Sequence, residues 1–184
     1  MDDANKLDLA VAKCNIVLSL LGPNTLRLPE PSPYPGYYAT LFPLMRKHSV
    51  KRILAMSTLS VYDPKDGTSL LRWFLVLFVR LFAGSAYRTV TGIARVFEEE
   101  AQGLDWTVYR IAVIPGGHDE ESWKKDREDG PVHAGYVADP GWQIYTRRGA
   151  LARWLVDCAE NGFEQWYGKL PAISKSKVAK ERTD

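Results

Sequence analysis

The chain has 184 residues, of which 46% are apolar and 25% are charged, and its formal net charge is +2. This length and composition are sufficient for one globular domain with a hydrophobic core. The net charge is too small to indicate binding to nucleic acid or to an acidic surface, so we expect no nucleic-acid partner.

The cysteines and histidines do not form a pattern typical of a metal site or a redox pair. Cys14 and Cys158 lie far apart in the sequence. His48, His118 and His133 have no carboxylate or cysteine at a ligand spacing. We therefore predict no metal and two buried thiols in a reducing compartment. The polar N-terminal segment MDDANKLDLA is unlike a secretory signal, which predicts a cytoplasmic location.

The first predicted elements are a short helix, a strand and a second helix. The first helix ends near Lys13, and residues 15–22 (NIVLSLLG) form a continuous apolar run typical of a parallel strand buried on both faces. A proline-rich loop follows, up to Pro35. Residues 37–48 predict a helix in which Pro43 lies near the start or produces a kink.

An apolar segment at residues 70–84 (LLRWFLVLFVRLFAG) follows the next predicted strand, residues 52–56. Arg72 and Arg80 interrupt the segment, and it is shorter than the roughly 20 residues that a membrane-spanning helix needs. A buried or interface helix is the favoured interpretation. The alternative is an apolar surface for a second subunit or for a membrane face.

The second half of the chain predicts two more strands and two more helices. Apolar residues recur at helical spacing from Val90 to Ala101, and Gly103 ends that helix. Residues 106–111 predict a strand, and Gly116 follows it.

The last part of the chain is predicted to contain one long loop, one helix and one strand. The polar residues 118–141 predict a loop, or a lid. Thr146 is the predicted cap of the last helix. Residues 166–173 predict a short edge strand, where Pro171 is tolerated, and residues 174–184 predict a basic, flexible tail. Alternating strands and helices over residues 1–173 predict a single α/β domain with a parallel sheet and helices on both faces.

Four segments carry a resemblance to a known family: CNIVLSLLG, VKRILAMSTLSVY, GLDWTVYRIAVIPGG and YTRRGALARWLVD. In this order they resemble the NmrA-like, atypical branch of the short-chain dehydrogenase/reductase superfamily. In that family the first three are the fourth, fifth and sixth strands of a Rossmann sheet, and the last is the helix that closes the substrate side. The resemblance implies a partial Rossmann-like, doubly wound parallel sheet that corresponds to the C-terminal half of the fold.

The resemblance also implies an NAD(P)-dependent oxidoreductase that acts by hydride transfer on a small carbonyl or enone substrate. Thr58 matches the family hydroxyl that orients the carbonyl, and Tyr87 matches the tyrosine that relays the proton. Each residue has a structural alternative: Thr58 as a hydroxyl that satisfies a strand-end backbone group, and Tyr87 as an aromatic packed on the core. The cofactor-binding residues are expected to be Gly22, Ser57, Pro115 and Gly116.

The chain departs from the family pattern in two ways. The family lysine belongs four residues after the tyrosine, where this chain has Thr91, and neither Arg88 nor Arg95 is well placed on the helix to replace it. None of the 14 glycines forms the G-x-x-G-x-x-G motif that receives a pyrophosphate at a helix N-terminus. We therefore expect weak or no binding of NAD or NADP by this chain, and NADP as the cofactor of a full-length form.

The strand predicted at residues 15–22 has no partner on its other side, so the predicted sheet has an open apolar edge. We interpret this edge as a sign of N-terminal truncation; the alternatives are a cover from the N-terminal residues or from another subunit. A homo-oligomer or a protein partner is expected at this edge or at residues 70–84. Two functions stay open: the oxidoreductase, and a non-catalytic NmrA-like regulatory or interaction module.

Overall fold

The computed structural model describes residues 3–23, 25, 27–128 and 130–176, and within them one five-stranded sheet is flanked by six α-helices. In chain order the elements are α1 (Ala4–Val11), β1 (Ile16–Ser19), α2 (Tyr34–Lys47), β2 (Arg52–Thr58), α3 (Leu70–Phe82), α4 (Gly84–Glu100), β3 (Asp105–Ile111), α5 (Glu120–Glu128), β4 (Val132–Gly135), α6 (Arg148–Asn161), a short 3-10 helix (Glu164–Trp166) and β5 (Ala172–Lys175).

The strand order is β1-β2-β3-β5-β4, and all neighbouring pairs are parallel except β5 with β4. Ile16 lies beside Arg52, and Arg52 lies beside Asp105, so the first three strands start at the same level. The α/β prediction with a largely parallel sheet is confirmed. Because these strands are parallel, their carboxyl ends meet at one edge, where ligands bind in open α/β sheets.

Helices cover both faces of the sheet, as predicted, because successive side chains of a strand point to opposite faces. Ile53 of β2 belongs to a core that includes Tyr38 and Phe42 of α2 and Phe97 of α4. Leu54, the next residue, belongs to the core formed with α6. Each core strand is therefore buried from two sides, which explains its continuous apolar sequence.

A buried ion pair ties the middle of the sheet to the loop that follows β2. The side chains of Arg110, in β3, and Asp66 have no exposed surface. Arg110 donates to both carboxylate oxygens of Asp66, at 2.5 and 2.8 Å. It also donates to the carbonyl of Val61 at 3.0 Å and to that of Leu170 at 2.6 Å. One side chain thus joins β3 to the turn after β2 and to the chain that enters β5.

β1 is an edge strand, in agreement with the predicted open edge. Over the described residues it pairs only with β2. Leu18 and Leu20 are 40% and 62% exposed, although they belong to an apolar run that is typical of a buried strand. The association with another chain that was predicted at this edge stays a prediction.

The buried-helix part of the favoured interpretation of residues 70–84 is wrong, whereas the interface part stays a prediction. α3 has no buried residue, and Leu70, Phe74, Phe78 and Phe82 are each at least 60% exposed. α3 meets α4 at 114° around Ala83, and the partly buried residues of α3 are Arg72, Leu75, Val76 and Val79. Within the described residues no single helix is long and apolar enough to cross a membrane, although α3 and α4 together pass that test as a bent pair.

The prediction for residues 118–141 is also wrong, because this segment contains α5 and β4. Asp119 starts α5 by accepting a hydrogen bond from the backbone N–H of Ser122 at 2.8 Å. Thr146 does not cap α6: the helix starts at Arg148, and the N–H of Thr146 instead donates to the carbonyl of Val113 at 3.0 Å.

β5 lies inside the sheet between β3 and β4, not at its edge as predicted. Pro171 is accommodated because it precedes the strand and only its carbonyl is used, accepting from the N–H of Arg110 at 2.8 Å. The strand runs to Lys175, so the tail predicted from residue 174 starts too early. The rest of that predicted tail, residues 177–184, lies outside the described residues.

α2 starts at Tyr34, so Pro43 lies inside the helix and not near its start.

The two cysteines differ in exposure, contrary to the prediction that both are buried. Cys14 is exposed and Cys158 is buried. Burial raises the pKa of Cys158 to about 11, and the nearby carboxylate of Asp157 acts in the same direction.

We expect a thiol-reactive disulfide reagent to modify Cys14 rapidly and Cys158 at least about 100-fold more slowly, because burial and a low thiolate fraction both protect Cys158. Stopped-flow absorbance should resolve two phases. Cys14→Ser should remove the fast phase, and Cys158→Ser the slow one. Two fast phases in the parent would contradict the structure.

We expect Asp66→Asn to lower the free energy of unfolding by about 3–5 kcal/mol at neutral pH, because it leaves the Arg110 guanidinium buried without its counter-charge. Urea denaturation measures this difference. Glu99→Gln, which removes the exposed partner of Arg95, is the matched control and should change stability by less than about 1 kcal/mol.

The effect of Asp66→Asn should depend on pH. Burial alone would raise the pKa of Asp66, but the hydrogen bonds and charge of Arg110, with backbone N–H donors, hold it below the ordinary value of 3.8. A depressed carboxyl pKa contributes stability above pH 3.8 that is lost as the pH falls through the folded-state value. The parent and the variant should therefore converge in acid; a constant difference would contradict this assignment.

Candidate cofactor and substrate site

Two cavities adjoin at the carboxyl end of β2, and Ser60 lines both. The Thr58 cavity has a volume of about 400 Å3 and the Tyr87 cavity about 460 Å3. The Thr58 cavity is lined by Pro23, Thr25, Thr58, Ser60, Val79, Ala83, Ala86 and Val90. The Tyr87 cavity is lined by Ser60, Tyr62, Asp66, Gly67, Thr68, Ser69, Arg72, Trp73, Val76, Leu77, Arg80 and Tyr87.

Thr58, the last residue of β2, lines the first of these cavities. Its Oγ1 accepts a hydrogen bond from the backbone N–H of Ser60 at 3.3 Å. Thr58 therefore does satisfy a backbone group at the end of its strand, which is the structural alternative that was predicted for it. It uses an oxygen lone pair and leaves the hydroxyl hydrogen to donate to a ligand.

Gly22 lies after β1, next to Pro23 of the Thr58 cavity. A Cβ at Gly22 would lie 3.2 Å from Cε of Met56, so glycine keeps the chain after β1 close to β2. The fold thus brings Gly22 and Thr58 to the same edge of the sheet, where Rossmann domains bind dinucleotides.

Ser57, Pro115 and Gly116 do not line either cavity. Ser57 is 2% exposed, and its hydroxyl has no hydrogen-bond partner among the described residues. The carbonyl of Pro115 accepts from the N–H of Arg148 at 3.2 Å. Gly116 has a φ of 111°, and a Cβ there would lie 3.1 Å from the carboxylate of Asp126. The cofactor role of these three residues stays a prediction.

Tyr87 lies in the first turns of α4 and lines the Tyr87 cavity beside Arg72 and Arg80 of α3. Thr91, at the position of the family lysine, donates from Oγ1 to the backbone carbonyl of Tyr87 at 2.9 Å. Its side chain is therefore bonded within its own helix, so it supplies neither a charge nor a free donor to the cavity.

The cations next to Tyr87 are Arg72 and Arg80 of α3, whose role in the site was not predicted from the sequence. Arg88 pairs with Glu30, and Arg95 pairs with Glu99, so these two arginines are engaged outside the cavity, as the sequence suggested. Arg72 and Arg80 are the only charged residues of α3. They are eight residues apart, just over two helical turns, so they lie on similar sides of the helix. This spacing was the feature of the sequence that could have indicated a shared role.

Arg72 is fixed in place by the turn that separates the two cavities. Its Nε donates to the carbonyl of Leu59 at 3.0 Å and its guanidinium donates to that of Val61 at 3.3 Å. Burial lowers the pKa of Arg72, and the charge of Arg110 acts in the same direction, while the carboxylate of Asp66 opposes both.

The residues of the Thr58 cavity fit one end of a nicotinamide dinucleotide. The cavity combines an apolar wall, including Val79 and Val90, with the hydroxyls of Thr25, Thr58 and Ser60, which suits a flat ring that carries polar groups. The sequence contains no G-x-x-G-x-x-G motif of the kind that receives a pyrophosphate. The described residues of the Thr58 cavity suit the nicotinamide end of the cofactor.

Residues 1–162 match a family model described as NAD(P)H-binding. No curated protein matches the chain. The family match gives no support to the predicted truncation, which stays a prediction.

Several solved structures share the fold. A wide-type short-chain dehydrogenase/reductase from Veillonella parvula DSM 2008, in complex with NADP, is 13% identical with a TM-score of 0.62; the match covers 94% of this chain and 68% of that protein. The anaerobillin reductase ChuY from Escherichia coli O157:H7 is 14% identical with a TM-score of 0.64, over 96% and 73%. The oxidoreductase ylbE from Lactococcus lactis is 14% identical with a TM-score of 0.57, over 96% and 68%.

Proposed function

The chain belongs to the NAD(P)H-binding family that its first 162 residues match, and from this premise we propose that it forms the nicotinamide and substrate side of an oxidoreductase site. The substrate is a small carbonyl or enone compound. The solved proteins of the same fold include an NADP complex and an anaerobillin reductase, which supports redox chemistry as the class of reaction.

The observation that carries this proposal is the pair of adjoining cavities. Thr58 and Tyr87 are 29 positions apart on different elements, and each lines a cavity that Ser60 also lines. A ligand in either cavity would therefore border Ser60. Two reactants held next to each other are the first requirement of a transfer reaction.

Each of the two residues has a step that its position allows. NAD(P)H, if bound in the Thr58 cavity, would supply the hydride for the reduction of the carbonyl carbon. The Thr58 hydroxyl, which accepts from the N–H of Ser60, donates a hydrogen bond to a carbonyl oxygen that extends past Ser60 to the border of the two cavities. The phenol of Tyr87 gives its proton to that oxygen as negative charge develops there. Solvent returns a proton to Tyr87, which is partly exposed.

A second candidate function is a non-catalytic module that acts through a protein partner. The bond between Thr91 and the carbonyl of Tyr87 favours it, because the position of the family lysine has a purely structural role. Two surfaces are open to a partner or to a second copy of the chain: the exposed edge of β1 and the apolar face of α3.

We expect NADPH and reduced nicotinamide mononucleotide to bind this chain with dissociation constants within roughly threefold of each other, at about millimolar concentration, because the chain offers contacts only to the part that they share. Protein-detected NMR titration measures both. Thr58→Val should weaken both ligands equally. Micromolar binding of NADPH with no binding of the mononucleotide would contradict the assignment of the Thr58 cavity.

We expect Tyr87→Phe to lower the rate of NADPH oxidation by about 100-fold or more with small aldehydes and enones, because it removes the proton donor. Binding of the mononucleotide should not change. Tyr37→Phe, on α2 outside both cavities, is the matched control. Turnover that survives in Tyr87→Phe would give Tyr87 a structural role, and a parent without turnover on any substrate would favour the non-catalytic module.

A further inference from the structure

We propose that the Tyr87 cavity binds the carboxylate of an anionic substrate, with Arg80 as the residue that pairs with it. The inference deepens the proposed function and rests on it for the identity of the reacting molecule. The binding of the anion itself depends only on the charges and shape of the cavity.

The Tyr87 cavity carries an excess of positive charge. Arg72 and Arg80 line it, Arg110 pairs with Asp66 behind it, and Asp66 is the only carboxylate among the described residues of its lining. Both oxygens of Asp66 are already occupied by Arg110, and the closest nitrogen of Arg72 is 3.6 Å away. Two low-exposure guanidinium groups, those of Arg72 and Arg110, thus share one carboxylate, and the exposed Arg80 adds a third positive charge to the cavity. An excess of like charge favours a bound counter-ion.

Asp63 and Lys65 are the other charged residues of this loop, and neither lines the cavity. Asp63 is buried and accepts from the N–H of Lys65 at 2.9 Å. The Lys65 ammonium lies 5.4 Å from the ring of Tyr136. Their opposite charges leave the excess in the cavity in place.

The guanidinium of Arg80 is available to bind a ligand in the cavity. Arg72 is committed to the carbonyls of Leu59 and Val61. Arg80 is exposed and forms no ion pair with a described residue. Its guanidinium can therefore turn to a ligand, with Arg72 contributing charge from a fixed position. A planar guanidinium binds a carboxylate through two parallel hydrogen bonds.

The rest of the wall of the Tyr87 cavity is largely aromatic and apolar. Tyr62, Trp73 and Tyr87 supply aromatic surface, and Val76 and Leu77 supply apolar surface. A cavity of about 460 Å3 with an arginine at one side and aromatic rings around it suits a small, flat, conjugated acid.

The test compares two ligands of the same shape that differ in charge, trans-cinnamate and trans-cinnamamide, by calorimetry or ligand-detected NMR without any nicotinamide cofactor. We expect the acid to bind the parent about tenfold more tightly than the amide, and to lose that advantage at high salt. Arg80→Gln should reduce the affinity for the acid to that for the amide, and Arg80→Lys should retain part of it.

Arg88→Gln is the matched control, because it removes an exposed arginine of α4 that pairs with Glu30 outside the cavity. It should not change the affinity for cinnamate. Equal binding of acid and amide, an unchanged affinity in Arg80→Gln, or an equal loss in Arg88→Gln would each overturn the proposal. Tighter binding of phenyl phosphate than of cinnamate would overturn the assignment to a carboxylate.

The outcome is separable from that of the proposed function. Cinnamate binding that depends on Arg80, with no turnover of any carbonyl substrate, would retain the anion site and remove the oxidoreductase. Turnover that depends on Tyr87, without any preference for acids, would do the reverse.

Discussion

The buried pairing of Asp66 with Arg110 is the constraint on which the geometry of the site depends. Arg110 is the second-to-last residue of β3, and its guanidinium binds Asp66, Val61 and Leu170 at once. Arg72 adds bonds from α3 to the carbonyls of Leu59 and Val61. The turn between the two cavities is thus held from the sheet and from a helix. Loss of one charge would leave another inside the protein without compensation.

Much of the fold could be predicted from local patterns. The continuous apolar runs that became β1, β2 and β3 are typical of strands covered on both faces, and α4 was predicted from its helical spacing and the stop at Gly103, whose φ is 77°. Patterns of this kind report which side chains avoid water. They do not report what covers them, and for that reason α3 was expected to be buried although the described residues leave it exposed.

The errors at the chain ends and loops have a common cause, which is competition between backbone partners. Thr146 has the residue type of a helix cap. Its N–H donates to the backbone carbonyl of Val113, however, and α6 starts two residues later, at Arg148. Pro171 lacks an N–H and was therefore assigned to an edge strand. In the structure the neighbouring strand needs only its carbonyl, which accepts from the N–H of Arg110. Such choices depend on residues far away in the sequence, so a local reading could not make them.

The site was predictable in part. A family resemblance pointed to Thr58 and Tyr87, and the fold brings both to adjoining cavities, but it gave no reason to consider the arginines of α3. One signal was overlooked: Arg110 interrupts the otherwise apolar strand WTVYRI. An arginine in a strand buried on both faces must have an acidic partner nearby, and a search for that partner would have led to Asp66 and to the loop around it.

Hydrogen bonds hold the turn at Leu59, Ser60 and Val61 through the backbone carbonyls of Leu59 and Val61, whose side chains pack in the cores. The buried side chain of Ser60 takes part in none of these bonds, and it borders both cavities. Evolution or protein engineering could enlarge or shrink the passage between the two compartments by exchanging this one side chain. A residue of this kind is a natural place for selectivity to diverge between relatives that keep the same scaffold.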